Sequence, residues 1–379
     1  MLTEMEKTMA KSFLAALLVF LFNTPVFSQE FVPCPGDPSI PIDDPACPPD
    51  VGLPPAGSSL NSSANSQWMD FNAKFVEEEI RSRESEAEDE ELSGKNLGFI
   101  FGAKSSSFDQ DSVDEFVGFE SRMKGVFLGM DYRITPDIFL GAAIDMERED
   151  TDTNQDMGTQ DMDEYGFSLY SFLHNQNDVY FSLFARYATQ NYEIEQSLSQ
   201  ESPFDETYGV TGKTDGNRRN LSAGAGRDFN FGSEEITISA LLEFDRTTID
   251  SHTLSSDLGS VDIDEDERTL LTFSLGGQAS KTFGTNAGVF IPSVSLHWFH
   301  EFKDNPRAIS GIIRPNTLGV SEGQITIVTP EPDRNYLSVG TNLVAVLPRG
   351  FSAYFDFEKH FSRKHIDHWM LTIGGRFEF

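Results

Sequence analysis

From Asn96 to the carboxy terminus the chain alternates apolar and polar residues with a period of two, segment after segment. Trp369, Leu371, Ile373, Gly375, Phe377 and Phe379 fall on one side of an extended chain; Met370, Thr372, Gly374, Arg376 and Glu378 fall on the other. Successive side chains of a strand point to opposite faces, so this pattern predicts a strand with one oily and one wet face. Eleven earlier segments read the same way. Their oily faces carry Leu97, Phe99, Phe101 and Ala103; then Val126, Leu128, Met130, Tyr132 and Ile134; then Ile138, Leu140, Ala142, Ile144 and Met146. Tyr165, Phe167 and Leu169 mark the fourth, Val179 to Tyr187 the fifth, and residues 219–231 the sixth. The seventh has Ile236 to Phe244, the eighth Leu271 to Ala279, and the ninth Phe290 to Trp298. Leu337 to Ala345 and Phe351 to Phe361 complete the set before the tail. Such segments exceed the usual soluble strand and suit a bilayer.

The connections sort into two kinds. Thr135-Pro136-Asp137, Asn175 to Asp178, Gly232-Ser233, Gly284-Thr285-Asn286 and Pro348-Arg349-Gly350 are tight turns. Between them lie long polar stretches: Asp109–Phe116, Glu147–Glu164, Glu193–Asn217, Asp250–Glu267 and Lys303–Asp333, with the short Ser362–His365 last. Short and long connections alternating over an even number of strands predict an all-β fold, a twelve-stranded antiparallel transmembrane β-barrel. The wet faces carry Lys104, Asp131, Arg133, Asp145, Glu243, Asp245, Glu301, Asp356, Glu358, Arg376 and Glu378, which would line a lumen because charge is costly against lipid. Tyr132, Tyr165, Tyr187, Trp298 and Trp369 stand near strand ends, as an interfacial girdle requires. Lys359 and Arg227 break the oily face, which calls for a bulge or a near-interface position.

The amino terminus divides differently. Residues 1–28 have Lys7 and Lys11, an apolar run from Phe13 to Phe22, and small residues at Val26 and Ser28. This is a secretory signal peptide, too short to span as a helix. Beyond it no apolar run reaches eighteen residues, which excludes a helical membrane protein. Residues 29–66 are rich in Pro, Gly, Ser and Asn and read as extended or disordered, without a sheet ladder. Residues 67–94 place Trp68, Phe71, Phe75 and Ile80 at helical spacing and end in acid, predicting a linker helix; a solvated acidic linker is the alternative. Residues 95–379 are the barrel. Cys34 and Cys47 in an exported chain suggest one disulfide worth about 3 kcal/mol, the alternative being two unpaired thiols.

Charge excludes one partner class. With 61 acidic against 28 basic residues, the chain lacks the basic surface that nucleic acid requires.

At this point three stretches resemble the autotransporter β-domain, the translocator of type V secretion. Gly129-Met130-Asp131-Tyr132, followed by Gly141 past the turn, is similar to the family's second and third strands. Trp298-Phe299-His300-Glu301-Phe302 is similar to its Trp-x-His-Glu-Phe strand, and Gly374 to Phe379 to its closing strand. The resemblance covers about residues 95–379 and implies a lumen threaded by a helix that precedes strand 1. It implies a non-catalytic translocator in the outer membrane of a Gram-negative bacterium, reached through the Sec translocon. It further implies insertion by the Bam machinery with periplasmic chaperones, reading a terminal signal of Trp369, Leu371, Ile373, Phe377 and Phe379. The expected surroundings are outer-membrane lipid and lipopolysaccharide, the expected state is a monomeric barrel, and no cofactor or metal is expected. The family's passengers are long, whereas here only residues 29–66 stand in that place. The alternatives are a passenger-less barrel acting through acidic surface loops and a small-solute channel.

Other constellations are weaker. His297 and Glu301 share a strand face that His300 does not, unlike the helical His spacing of metalloproteases. Asp262 to Glu267 resembles half a calcium loop without its glycine. His360, His365 and His368 cluster near the last outer loop. Asn72 with Glu243 or Asp356 is a candidate for linker self-cleavage, although no spacing selects a pair.

Overall fold

The computed structural model describes residues 33–34, 37–41, 97–112, 117–135, 137–154, 157–175, 178–199, 207–257, 259–302, 308–316, 322–329 and 333–379. The expected signal peptide, linker helix and Cys47 lie outside these residues. The chain separates into two compact units, Met1–Pro49 and Asp50–Phe379. In the first, Pro33–Cys34 pairs antiparallel with Asp37–Pro41, so the proline tract does make a minimal ladder where none was expected. Proline is tolerated there because a two-stranded ribbon is all edge.

The second unit holds the twelve expected strands. They are β1 (Leu97–Gln110), β2 (Phe119–Thr135), β3 (Ile138–Thr153), β4 (Gly158–Asn175), β5 (Val179–Ser199) and β6 (Thr207–Phe231). β7 (Glu234–Ile249), β8 (Asp266–Lys281), β9 (Gly288–Glu301), β10 (Asn335–Leu347), β11 (Phe351–Phe361) and β12 (Ile366–Glu378) complete them. Each pairs antiparallel with the next, and β12 pairs with β1 from Ile366↔Gln110 to Glu378↔Gly98. The barrel is closed, so every stave has two neighbours and no edge is left to face lipid. Among the described residues no helix is long and apolar enough to cross a membrane; this chain crosses with strands.

Period 2 sets which side each residue takes. On β3, Leu140 and Ile144 are 52% and 58% exposed on the outside, whereas Phe139 and Ala143 are buried inside. At the tight turns, Arg349 and Gly350 both have positive φ (75° and 77°), the backbone of a two-residue hairpin turn. Lys359 and Arg227 sit in unbroken register near the band's edges, which answers the choice between bulge and interface. Lys359 bonds Asp367 at 3.0 Å, and the Arg227 guanidinium lies over Phe229.

The long polar connections are mostly not loops, which corrects the sequence reading. β3 runs on to Thr153 and β4 starts at Gly158; β6 is 25 residues long. The staves continue beyond the apolar band with polar residues on both faces, so hydropathy no longer marks the alternation. The stretch after β7 forms a hairpin, His252–Ser256 with Gly259–Ile263, and the stretch after β9 forms another, Ala308–Pro315 with Gly323–Val328. The first hairpin joins β6 at Ser255↔Thr211, and the two hairpins pair with each other. Their apolar faces share one buried cluster with the staves: Tyr192, Ile194, Val210 and Ile249 from the barrel, Leu254, Val261, Ile263 and Ile309 from the hairpins. This rim core lies at the end away from the tight turns.

Candidate functional site: the charged lumen and its seam

The lumen is built by the inward position of each stave, and it is held by ion pairs. On the rim side, Arg186 of β5 reaches three carboxylates. It donates to Asp145, to Glu147 at 3.1 Å and to Glu164 at 2.6 Å. Lys104 of β1 bonds Glu147 from the opposite side, and Gln190 donates to Glu164 at 2.5 Å. Arg218 of β6 donates to Asp245 at 2.8 Å, and Asn220 donates to Glu243 at 2.6 Å. Arg186 and Arg218 are buried, so these charges are compensated by one another rather than by bulk water. Carboxylate oxygens of Asp145, Glu147 and Glu164 lie within 4.8 Å of one another, a spacing that suits a metal ion. The guanidinium of Arg186 already supplies the positive charge among them.

A second constellation spans the closure seam. Arg376 of β12 donates from Nη2 and Nε to the two oxygens of Asp131 on β2, at 2.7 and 3.2 Å, and also bonds Glu378. Between β12 and β2 lies β1, where Gly98 stands opposite both Glu378 and Asp131. A Cβ on Gly98 would meet Arg376 Nη2 at 2.5 Å and Asp131 Oδ1 at 2.6 Å. Arg376 therefore crosses the first stave and ties the last to the second only because residue 98 has no side chain.

Rings cover other inward glycines directly opposite them: Phe127 on Gly102, Tyr170 on Gly141, Tyr180 on Gly226, His297 on Gly276 and Tyr354 on Gly374. Each ring occupies the space that a Cβ on the glycine would need.

The residues singled out in sequence divide between the two faces. Gly129, Asp131 and Glu301 point inward; Tyr132, Trp298, His300 and Phe302 point outward. Trp369, Leu371, Ile373, Phe377 and Phe379 share the outward face of β12 and its end. His300 donates from Nδ1 to Asn335 Oδ1 at 3.0 Å, apart from the inward His297. Glu301 takes Arg363 at 3.3 Å, and that guanidinium lies 3.8 Å over the Tyr336 ring. His360 and His368 meet Nδ1 to Nδ1 at 3.2 Å inside the barrel, whereas His365 is exposed. The supposed calcium half-loop is divided between a hairpin strand and β8; Asp262 bonds Arg314 and Glu267 bonds Arg246. Asn72 and Cys47 lie outside the described residues. Arg186, Arg218, Glu147 and Glu164 were missed in sequence. The signal was present, since Arg186 alternates with the outward Ala185 and Tyr187, but the last two were assigned to a loop.

A closed barrel with an apolar outer band, an aromatic girdle and an ion-paired interior defines a transmembrane β-barrel of the outer-membrane class. The family model described as autotransporter β-domain matches residues 98–358, and the chain belongs to that family. Among solved structures, the translocator domain of the autotransporter NalP from Neisseria meningitidis is similar at 14% identity and TM-score 0.59, covering 85% of this chain and 98% of that one. The β-domain of the Bordetella autotransporter BrkA gives 16%, 0.56, 75% and 100%. The transport unit of AIDA-I from Escherichia coli gives 12%, 0.51, 77% and 93%. At these identities the likeness is one of fold. No curated protein sequence matches the chain.

Proposed function

We propose that this outer-membrane translocator barrel exports or displays the segment before Leu97 through its polar lumen. One observation carries the reading: the barrel begins and ends at the tight-turn end. Leu97 pairs with Tyr132 near the first tight turn, and the Phe379 amide donates to the Leu97 carbonyl at 3.2 Å. A chain that precedes Leu97 and emerges at the rim has to run the length of the lumen. Residues 67–94 as a helix would extend about 42 Å, enough to cross a bilayer core. The tight-turn end then faces the periplasm and the rim faces outside. Passage is not catalytic; it depends on a wet wall and a closed sheet. The reading includes delivery through the Sec translocon, handling by periplasmic chaperones, and insertion by the Bam machinery using the outward face of β12.

The folded rim favours a second reading, a passenger-less barrel that works through its acidic surface hairpins. An epitope tag after Leu60, probed on intact and then on permeabilised cells, separates the two. Labelling of intact cells supports export. Labelling only after permeabilisation leaves the tract in the periplasm and moves the function to the rim.

A further inference from the structure

On two pairs of staves the outward face changes from oil to charge in one step, and the register there is unusual. On β6 and β7, Leu221 stands opposite Phe244 on the lipid face, and the next outward pair toward the rim is Arg219 opposite Arg246. Like charges directly opposite one another in adjacent strands repel, their Cβ atoms being about 5 Å apart. Arg246 bonds Glu267 of β8. Arg219 is exposed and has no carboxylate partner among the described residues, although acids outnumber bases 61 to 28 in the chain. Opposite Arg219 on its other side is Tyr187, an outward girdle ring 49% exposed. The same arrangement recurs four staves away. Lys124 stands opposite Arg148, one outward step beyond Val126 and Met146. There Arg148 is held by Asp150 and Asp161, both at 3.0 Å, which makes that station the weaker.

We propose that Arg219 and Arg246 form an outward site for the phosphate of a phosphorylated glycolipid in the surrounding leaflet. A phosphate between the two guanidiniums would turn their repulsion into paired charge-assisted hydrogen bonds. Its acyl chains would lie on Leu221 and Phe244, and Tyr187 would face its sugar. The site rests on the translocator reading for orientation, because that reading turns the rim toward the glycolipid leaflet.

The test uses the full chain in nanodiscs of phosphatidylcholine with a minor fraction of diphosphoryl lipid A, symmetric so that the insertion direction does not matter. Lipid retained per barrel is counted by native mass spectrometry. Two basic residues at a charged interface predict about a thirtyfold loss in Arg219→Gln/Arg246→Gln. Arg227→Gln, on the lipid face near the tight turns, should retain wild-type levels. Dephosphorylated lipid A should not be retained. The double variant removes the Arg219–Arg246 repulsion together with the Arg246–Glu267 bond, and heat-modifiable migration checks that it folds. Unchanged retention by the double variant, equal retention of dephosphorylated lipid A, or equal retention of phosphatidylglycerol overturns the site. Binding of inorganic phosphate alone at similar concentration also overturns it in favour of a free anion. Lys213→Cys labelling on whole cells reports separately whether this rim faces outside, so a failed orientation is not mistaken for a failed site.

Discussion

Arg376→Ala removes the guanidinium that spans the closure seam. Asp131 and Arg376 are 1% and 2% exposed, and the pair is bidentate at 2.7 and 3.2 Å. Deleting one partner of such a buried pair costs about 3–5 kcal/mol, most of it from the carboxylate left behind. For a large domain each kcal/mol moves the midpoint by about 2–4 °C, so the variant should melt roughly 6–20 °C lower. Folded barrels resist detergent and migrate faster on unheated gels; the fraction folded after fixed heating times gives the apparent midpoint, which controls for irreversible unfolding. Asp131→Asn with Arg376→Gln neutralises the Asp131 pair but leaves Glu378 without its guanidinium, so it should recover only part of the loss seen in Arg376→Gln alone, giving a positive coupling in the double-mutant cycle. An alanine variant melting within about 2 °C of wild type would refute the clamp, because the charge would then be solvated by lumen water rather than by Arg376.

Three other outcomes follow from the same geometry. Arg186→Ala leaves Asp145, Glu147 and Glu164 facing one another; the apparent midpoint should fall, and millimolar calcium should restore part of it, whereas wild type should not respond. Gly141→Val should cost about 1–3 kcal/mol, since a Cβ there would lie 2.1 Å from Tyr170 Cζ; introduced into a Tyr170→Ala background it should cost less than it does in wild type, and the heated-gel midpoint checks both. Leu254→Ala, at 0% exposure in the rim core, should loosen the hairpins at a local cost of about 2–5 kcal/mol. Limited trypsinolysis at Arg314 should then quicken while the barrel's own midpoint holds; loss of the whole barrel would show that the rim is not a separate unit.

The sequence alone determined the number of staves, the face each presents to lipid and the end at which the chain closes. It could do so because a bilayer imposes period 2 on the part of each stave that crosses it and sets the length of that part, and both are local properties. Phe139 inside and Leu140 outside follow from neighbours in the chain. Only the tertiary structure decided what the inward charges meet. Arg376 and Asp131 are 245 residues apart, and closure of β12 on β1 brings them together across Gly98. The rim was illegible for a different reason. Glu147, Arg148, Glu149 and Asp150 are polar on both faces, so water outside the band erases the hydropathy difference that reveals a strand. There the ladder and the shared apolar core of Leu254, Val261 and Tyr192 hold the structure, and both exist only once distant segments have met.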